Sequence, residues 1–129
     1  DGVYAMCPYI YGDYGKPAKE LPSLVENDNF FLGVGMIASL ADVYDPSGQH
    51  AKDPLAWPYY ATEEDLKGLP PHVISVNELD PLSDEGLEHL GKLARAGVDE
   101  YGSTVNGSIQ AGHCLAGAWR PEMMEACPL

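Results

Sequence analysis

Apolar positions along this chain fall into short runs separated by Gly, Pro and Asp, and the spacing inside each run predicts its element. Val3 to Ile10 is a continuous apolar stretch closed by Gly12, the pattern of a buried strand entering a loop, with Pro8 ending the ladder near its own position. Between Tyr11 and about Pro71 the composition shifts to loops rich in Pro, Asp and Tyr around one helix predicted over Asn29 to Tyr44. Its apolar positions Phe30, Val34, Ile37, Leu40, Ala41 and Tyr44 share related faces, and Asp45-Pro46-Ser47-Gly48 stops it. Leu69-Pro70-Pro71 introduces His72 to Leu79, where Val73, Ile74 and Val76 predict a central strand buried on both faces. Ser83, Asp84 and Glu85 then supply a cap and an acidic first turn. Leu87, Leu90 and Ala94 form the expected inward stripe, Glu88 pairs with Lys92, Arg95 meets the C-terminal dipole, and Gly97 stops the helix. Val98 to about Ile109 offers a further strand, followed by a final helix. A strand, a helix and a strand in this order predict a parallel unit with a right-handed crossover, whose C-terminal edge is where α/β proteins place their sites.

Length and composition agree with a packed α/β chain. The 129 residues are 45% hydrophobic, enough for a core at the size where single domains are commonest. Fourteen glycines and eleven prolines fall between the periodic segments and so imply many short loops. Twenty Asp and Glu against seven Lys and Arg give a formal net charge of −13. That field repels phosphate backbones and anionic membrane surfaces, which excludes nucleic acid as the expected partner. The acids are scattered, as on a solvated surface. No apolar run approaches the 18 to 20 residues that a membrane span requires. Cys7, Cys114 and Cys127 are widely spaced, and His50, His72, His89 and His113 are dispersed. Neither set has metal-ligand spacing, so no metal or other cofactor is expected and the thiols are expected to be reduced. Cytoplasm is the default compartment, and the oligomeric state is left open.

Candidate chemistry lies in Glu78-Leu79-Asp80-Pro81-Leu82-Ser83-Asp84-Glu85-Gly86 and in Gly112-His113, thirty-three positions after Asp80. Both Asp80 and His113 follow predicted strands at the same sheet edge. A carboxylate there can orient an imidazole carried on a later loop, which would then act as a general base. Each residue also has a plainer role: Asp80 as a turn residue satisfying amides at the helix start, His113 as a packed or exposed histidine in an Ala/Gly-rich loop. Asp84 competes for the acid role, but its place inside the helix start favours capping. Adjacent residues on a strand or loop usually point apart and the sequence offers no electropositive neighbour to lower the thiol pKa, so Cys114 is not expected to act as a thiol nucleophile with His113. None of the seven serines is flanked by glycine at −2 and +2, and no His-Gly-Gly occurs, so neither a nucleophile elbow nor an oxyanion motif is present.

Leu69-Pro70-Pro71, Asn77 to Gly86 and Leu93-Ala94-Arg95-Ala96-Gly97-Val98, in this order and spacing, resemble the C-terminal part of the hormone-sensitive-lipase-like carboxylesterases. The likeness extends upstream through Asp1 to Ala5, Leu21 to Asp28 and Asp53 to Tyr59. It implies an α/β-hydrolase fold, here as its C-terminal portion over residues 1–129: parallel strands with flanking helices and a cap insertion at about 11–71, with the N-terminal strands and nucleophile elbow upstream. It further implies that Asp80 is the triad acid and His113 the base of a serine esterase acting on small to medium carboxylic esters without a cofactor. The sequence Gln110-Ala111-Gly112-His113-Cys114-Leu115 departs from the family's His-Gly-Phe, with a residue or two more before His113. A hydrolase-fold protein that binds a small ligand without hydrolysing it is the alternative, and a degenerate coding sequence is a third.

Overall fold

A computed structural model describes residues 1–112. Three strands, β1 (Val3–Met6), β2 (His72–Asn77) and β3 (Glu100–Val105), form a parallel sheet in the order β1-β2-β3. The register pairs Val3 with His72 on one side and His72 with Glu100 through Asn77 with Val105 on the other. The middle position of β2 follows from its residues: Ile74 and Val76 are buried at 1% and 0% exposure, and so are Ser75 and Asn77 on the alternate positions, as a strand covered on both faces requires. β1 is shorter than the predicted run to Ile10. Cys7 turns the chain out of the ladder at φ +48°, and Pro8 has no N–H to continue it.

Helix α1 spans Ser23–Glu26, α2 spans Val34–Tyr44, a single 3₁₀ turn covers Pro58–Tyr60, α3 spans Glu63–Leu66, and α4 spans Ser83–Arg95. The helix expected from Asn29 begins five residues late. Asn29 sits at φ +66°, outside helical space, and the Asp28 carboxylate accepts the Val34 N–H at 2.7 Å, serving as the start signal instead. Val34, Ile37 and Ala41 face inward as expected, while Phe30, Leu40 and Tyr44 stay exposed. α3 is held by a capping box in which Thr62 and Asp65 exchange bonds.

α4 packs on β2 and β3, on a face that shares Leu90 with the predicted stripe and otherwise lies to one side of it. Ser83, Glu85, Gly86, His89 and Leu93 are buried, whereas Leu87 is exposed. Gly86 allows the close approach: a Cβ there would lie 2.7 Å from Val76 Cγ1 and 3.1 Å from Pro8 Cγ. Ser83, Asp84 and Glu85 do not cap α4 with their side chains. Asp84 Oδ2 instead accepts the Ser23 N–H at 2.6 Å, joining α4 to α1. Lys92, expected to pair with Glu88, donates to the Tyr59 carbonyl and lies 4.6 Å over that residue's ring. Arg95 pairs with Glu63. One core cluster gathers Ala61, Leu66, Ile74, Val76, Leu93 and Val98 beneath α4. A second joins Tyr11, Tyr14, Leu21, Leu24, Ile37, Trp57 and Leu82, with Tyr9 stacked on Tyr14 at 4.8 Å and Trp57 edge-on to Tyr9 and Tyr44.

Candidate active site

β2 ends at Asn77, and the turn that follows carries Asp80 to the C-terminal edge of the parallel sheet. The turn is fixed from several directions. Asp80 N–H donates to the Asn77 carbonyl at 3.2 Å, the Asp80 carbonyl accepts from Ser83 N–H at 3.1 Å, and Asn27 Nδ2 reaches both the Glu78 and Asp80 carbonyls. Asp80 is wholly buried. Its Oδ1 accepts the Leu82 N–H at 2.9 Å, so Asp80 does satisfy an amide at the start of α4. That plainer role and a role in chemistry are compatible, because the carboxylate has a second oxygen.

Burial pushes the Asp80 carboxyl up to about 6, against the stabilising donors Leu82 N–H and the Cys7 thiol. Beneath it runs a polar chain: Ser108 Oγ donates to Asn77 Oδ1 at 2.7 Å, and Asn77 Nδ2 donates to Cys7 Sγ at 3.1 Å. The loop after β3 is tied to the loop after β2 at four points. Glu78 N–H donates to the Val105 carbonyl, Leu79 N–H to the Ser108 carbonyl, Gly107 N–H to Glu78 Oε2, and Ser108 Oγ to Asn77. The strand predicted through Ile109 therefore stops at Val105: Gly107 turns at φ +67°, and the chain spends its hydrogen bonds on Glu78, Leu79 and Asn77. This turn delivers Gln110 to Asp80. A carboxylate only accepts, so the Gln110 amide presents its nitrogen, which donates to Asp80 Oδ2 and, at 3.2 Å, to Oδ1. His113 lies outside the described residues.

An α/β-hydrolase-fold family model matches residues 2–113. The chain belongs to the hormone-sensitive-lipase-like esterase family. It is 49% identical to brefeldin A esterase, a bacterial homologue of human hormone-sensitive lipase, with a TM-score of 0.93 over 97% of this chain and 36% of that one. Esterase Est22 is 39% identical with a TM-score of 0.80, again over 97% of this chain and 36% of its own. A mutant of esterase rPPE is 30% identical with a TM-score of 0.79 over 97% of this chain and 39% of that one. This chain thus spans little more than a third of the solved esterases it resembles. Among curated proteins no sequence match reaches significance.

In this esterase-family chain a second buried carboxyl, Glu85, stands one helical turn beyond Asp80. Its Oε1 accepts from Ile10 N–H at 2.6 Å, Tyr11 N–H at 3.1 Å and Tyr14 OH at 2.8 Å. Its Oε2 is buried without a partner among the described residues. Burial raises this carboxyl to about 8, against the three donors, and the nearby Asp80 charge raises it further. Read from sequence, Glu85 belongs to the acidic first turn of α4. In the fold it clamps the loop that leaves β1, and its donors lie some seventy residues away in the chain, where no local pattern reveals them. Among the described residues no helix is long and apolar enough to cross a membrane.

Proposed function

We propose that this chain supplies the acid and base of a serine carboxylesterase hydrolysing small to medium carboxylic esters, with the nucleophile and oxyanion donors on sequence outside these 129 residues. The observation that carries the reading is Asp80: a fully buried carboxylate, held by the Leu82 N–H at the C-terminal edge of a parallel sheet, in a chain of the esterase family. The absence of a nucleophile elbow and the coverage of 36% of brefeldin A esterase support placing the serine elsewhere.

In the proposed reaction the serine oxygen attacks the ester carbonyl carbon while His113 takes its proton. Asp80 orients the imidazole and stabilises its charged form. Collapse of the tetrahedral intermediate breaks the ester C–O bond, and the proton passes from His113 to the departing alcohol. Water, deprotonated in turn by His113, then attacks the acyl-serine and releases the carboxylic acid. Residues 11–71, with the Tyr11, Tyr14 and Trp57 cluster, would serve as the cap over the pocket, and the cytoplasm is the expected compartment.

The test is ester turnover in the full protein. Asp80→Asn should lower kcat by about 10⁴-fold with the fold intact, and His113→Ala by a comparable factor. Unchanged turnover in either variant sinks the assignment. The amide of Gln110 on Asp80 favours a second reading, a ligand-binding relative without hydrolysis. An upstream sequence lacking a serine elbow, together with binding of an ester by calorimetry without product, decides for it.

A further inference from the structure

Among the described residues Asp80 meets two side chains, the Cys7 thiol and the Gln110 amide. Four hydrogen bonds between the loops after β2 and β3, through Glu78, Leu79 and Asn77, fix the path of the chain from Val105 to Ser108. Gly112 N–H closes a further turn on the Ile109 carbonyl at 2.8 Å, with Ala111 at φ +54° inside it. An alanine in the left-handed region is strained, and it persists here because the flanking bonds leave the loop no other course. Among the described residues of this loop, Gln110 is the one that meets the acid.

We propose that position 110 is the partner position of Asp80 in this fold, that Gln110 fills it with an amide that holds the carboxylate, and that any imidazole acting with Asp80 must share or displace that amide. The inference rests on the reading of Asp80 as the catalytic acid and goes beyond it. Gln110 becomes a positioning residue that sets whether the acid is available. With Leu82 N–H on Oδ1 and the Gln110 amide bridging Oδ2 and Oδ1, both carboxylate oxygens are engaged. An amide, unlike an imidazole, cannot take up a proton at neutral pH, so Gln110 itself cannot serve as the base. Among the described residues the titratable groups that act on this carboxyl are the Cys7 thiol at the end of β1, which donates to it, and Glu85 from α4.

Two nuclear magnetic resonance measurements test the inference. In the wild-type protein the Gln110 side-chain NH₂ resonances should move with the ionisation of Asp80, with a midpoint near 6, and should lose that dependence in Asp80→Asn. In Gln110→His the introduced imidazole should titrate at least about one unit, or tenfold in proton affinity, above its ordinary 6.5, and return to it when Asp80→Asn is added. Protected amide protons along β2 verify that each variant is folded. An invariant Gln110 amide, or an introduced imidazole with an ordinary pKa in a folded variant, overturns the inference. If the Gln110 amide is silent while Asp80→Asn shifts the titration of His113, position 110 is wrong and the acid–base reading of Asp80 survives. If Gln110 responds but ester turnover by the full protein is unaffected by Asp80→Asn, position 110 is right and the catalytic reading fails.

Discussion

Two carboxyls five residues apart do different things because their surroundings differ. Asp80 meets a backbone N–H and a side-chain amide at the sheet edge; Glu85 faces two backbone N–H groups and a tyrosine hydroxyl in the interior. Burial raises both, so each contributes stability that is present while the folded state keeps the proton and lost as pH rises from the unfolded pKa through the folded one. For Asp80 that window runs from 3.8 to about 6, and for Glu85 from 4.5 to about 8. His89, lowered by burial from 6.5 to about 4, acts in the opposite sense, its contribution being lost as pH falls through that range. Above 6.5 Glu85 stands alone of the three. Unfolding free energy is thus expected to fall between pH 6.5 and 8 in the wild type, at up to roughly 1.4 kcal/mol per pH unit, and to flatten in Glu85→Gln, which keeps an acceptor for Ile10 and Tyr11. Denaturant titrations at several pH values measure this, and an equal slope in both proteins contradicts it. The place of Asp80 at the sheet edge was legible from sequence because strand, turn and helix start are local signals. Gln110 and Glu85 were not, since their partners come from loops distant in sequence and nothing in a lone Gln or Glu says which way it points.

Elements were read correctly where pattern and packing agree. β2 and α4 appear within two residues of their expected limits because the apolar run of β2 is strong and Pro81 and Gly97 bound α4. Of the stripe expected on α4, Leu90 packs against the cluster over the sheet, whereas Leu87 and Ala94 are exposed and Ser83, Glu85, Gly86 and His89 are buried in their place. Helix α4 buries that polar set because Gly86 lets its axis settle close over Val76 and Pro8. Gly86→Ala should therefore cost about 1–3 kcal/mol, since neither a valine on the central strand nor a proline ring swings aside; a thermal midpoint equal to wild type would refute this. Leu93, at 0% exposure under α4, should lose about 2–5 kcal/mol on substitution by Ala, measurable as a fall in the denaturant midpoint.

At the scale of the molecule α4 is the shared wall. Leu93 belongs to the cluster over the sheet and Leu82, just before the helix, to the aromatic cluster. The Glu85 clamp between them ties the loop at Ile10 and Tyr11 to the helix. That clamp has a calorimetric consequence. The formal charge of −13 counts Glu85 as ionised, yet near neutral pH the native chain keeps a proton there and is about one unit less negative. Unfolding in that range sets the proton free, close to one per molecule, and the surrounding buffer must absorb it. The apparent unfolding enthalpy should accordingly differ between phosphate and an amine buffer at the same pH by about the difference in their heats of protonation, and this gap should close in Glu85→Gln. One buried side chain thereby makes the heat of melting depend on the solution in which the protein is dissolved.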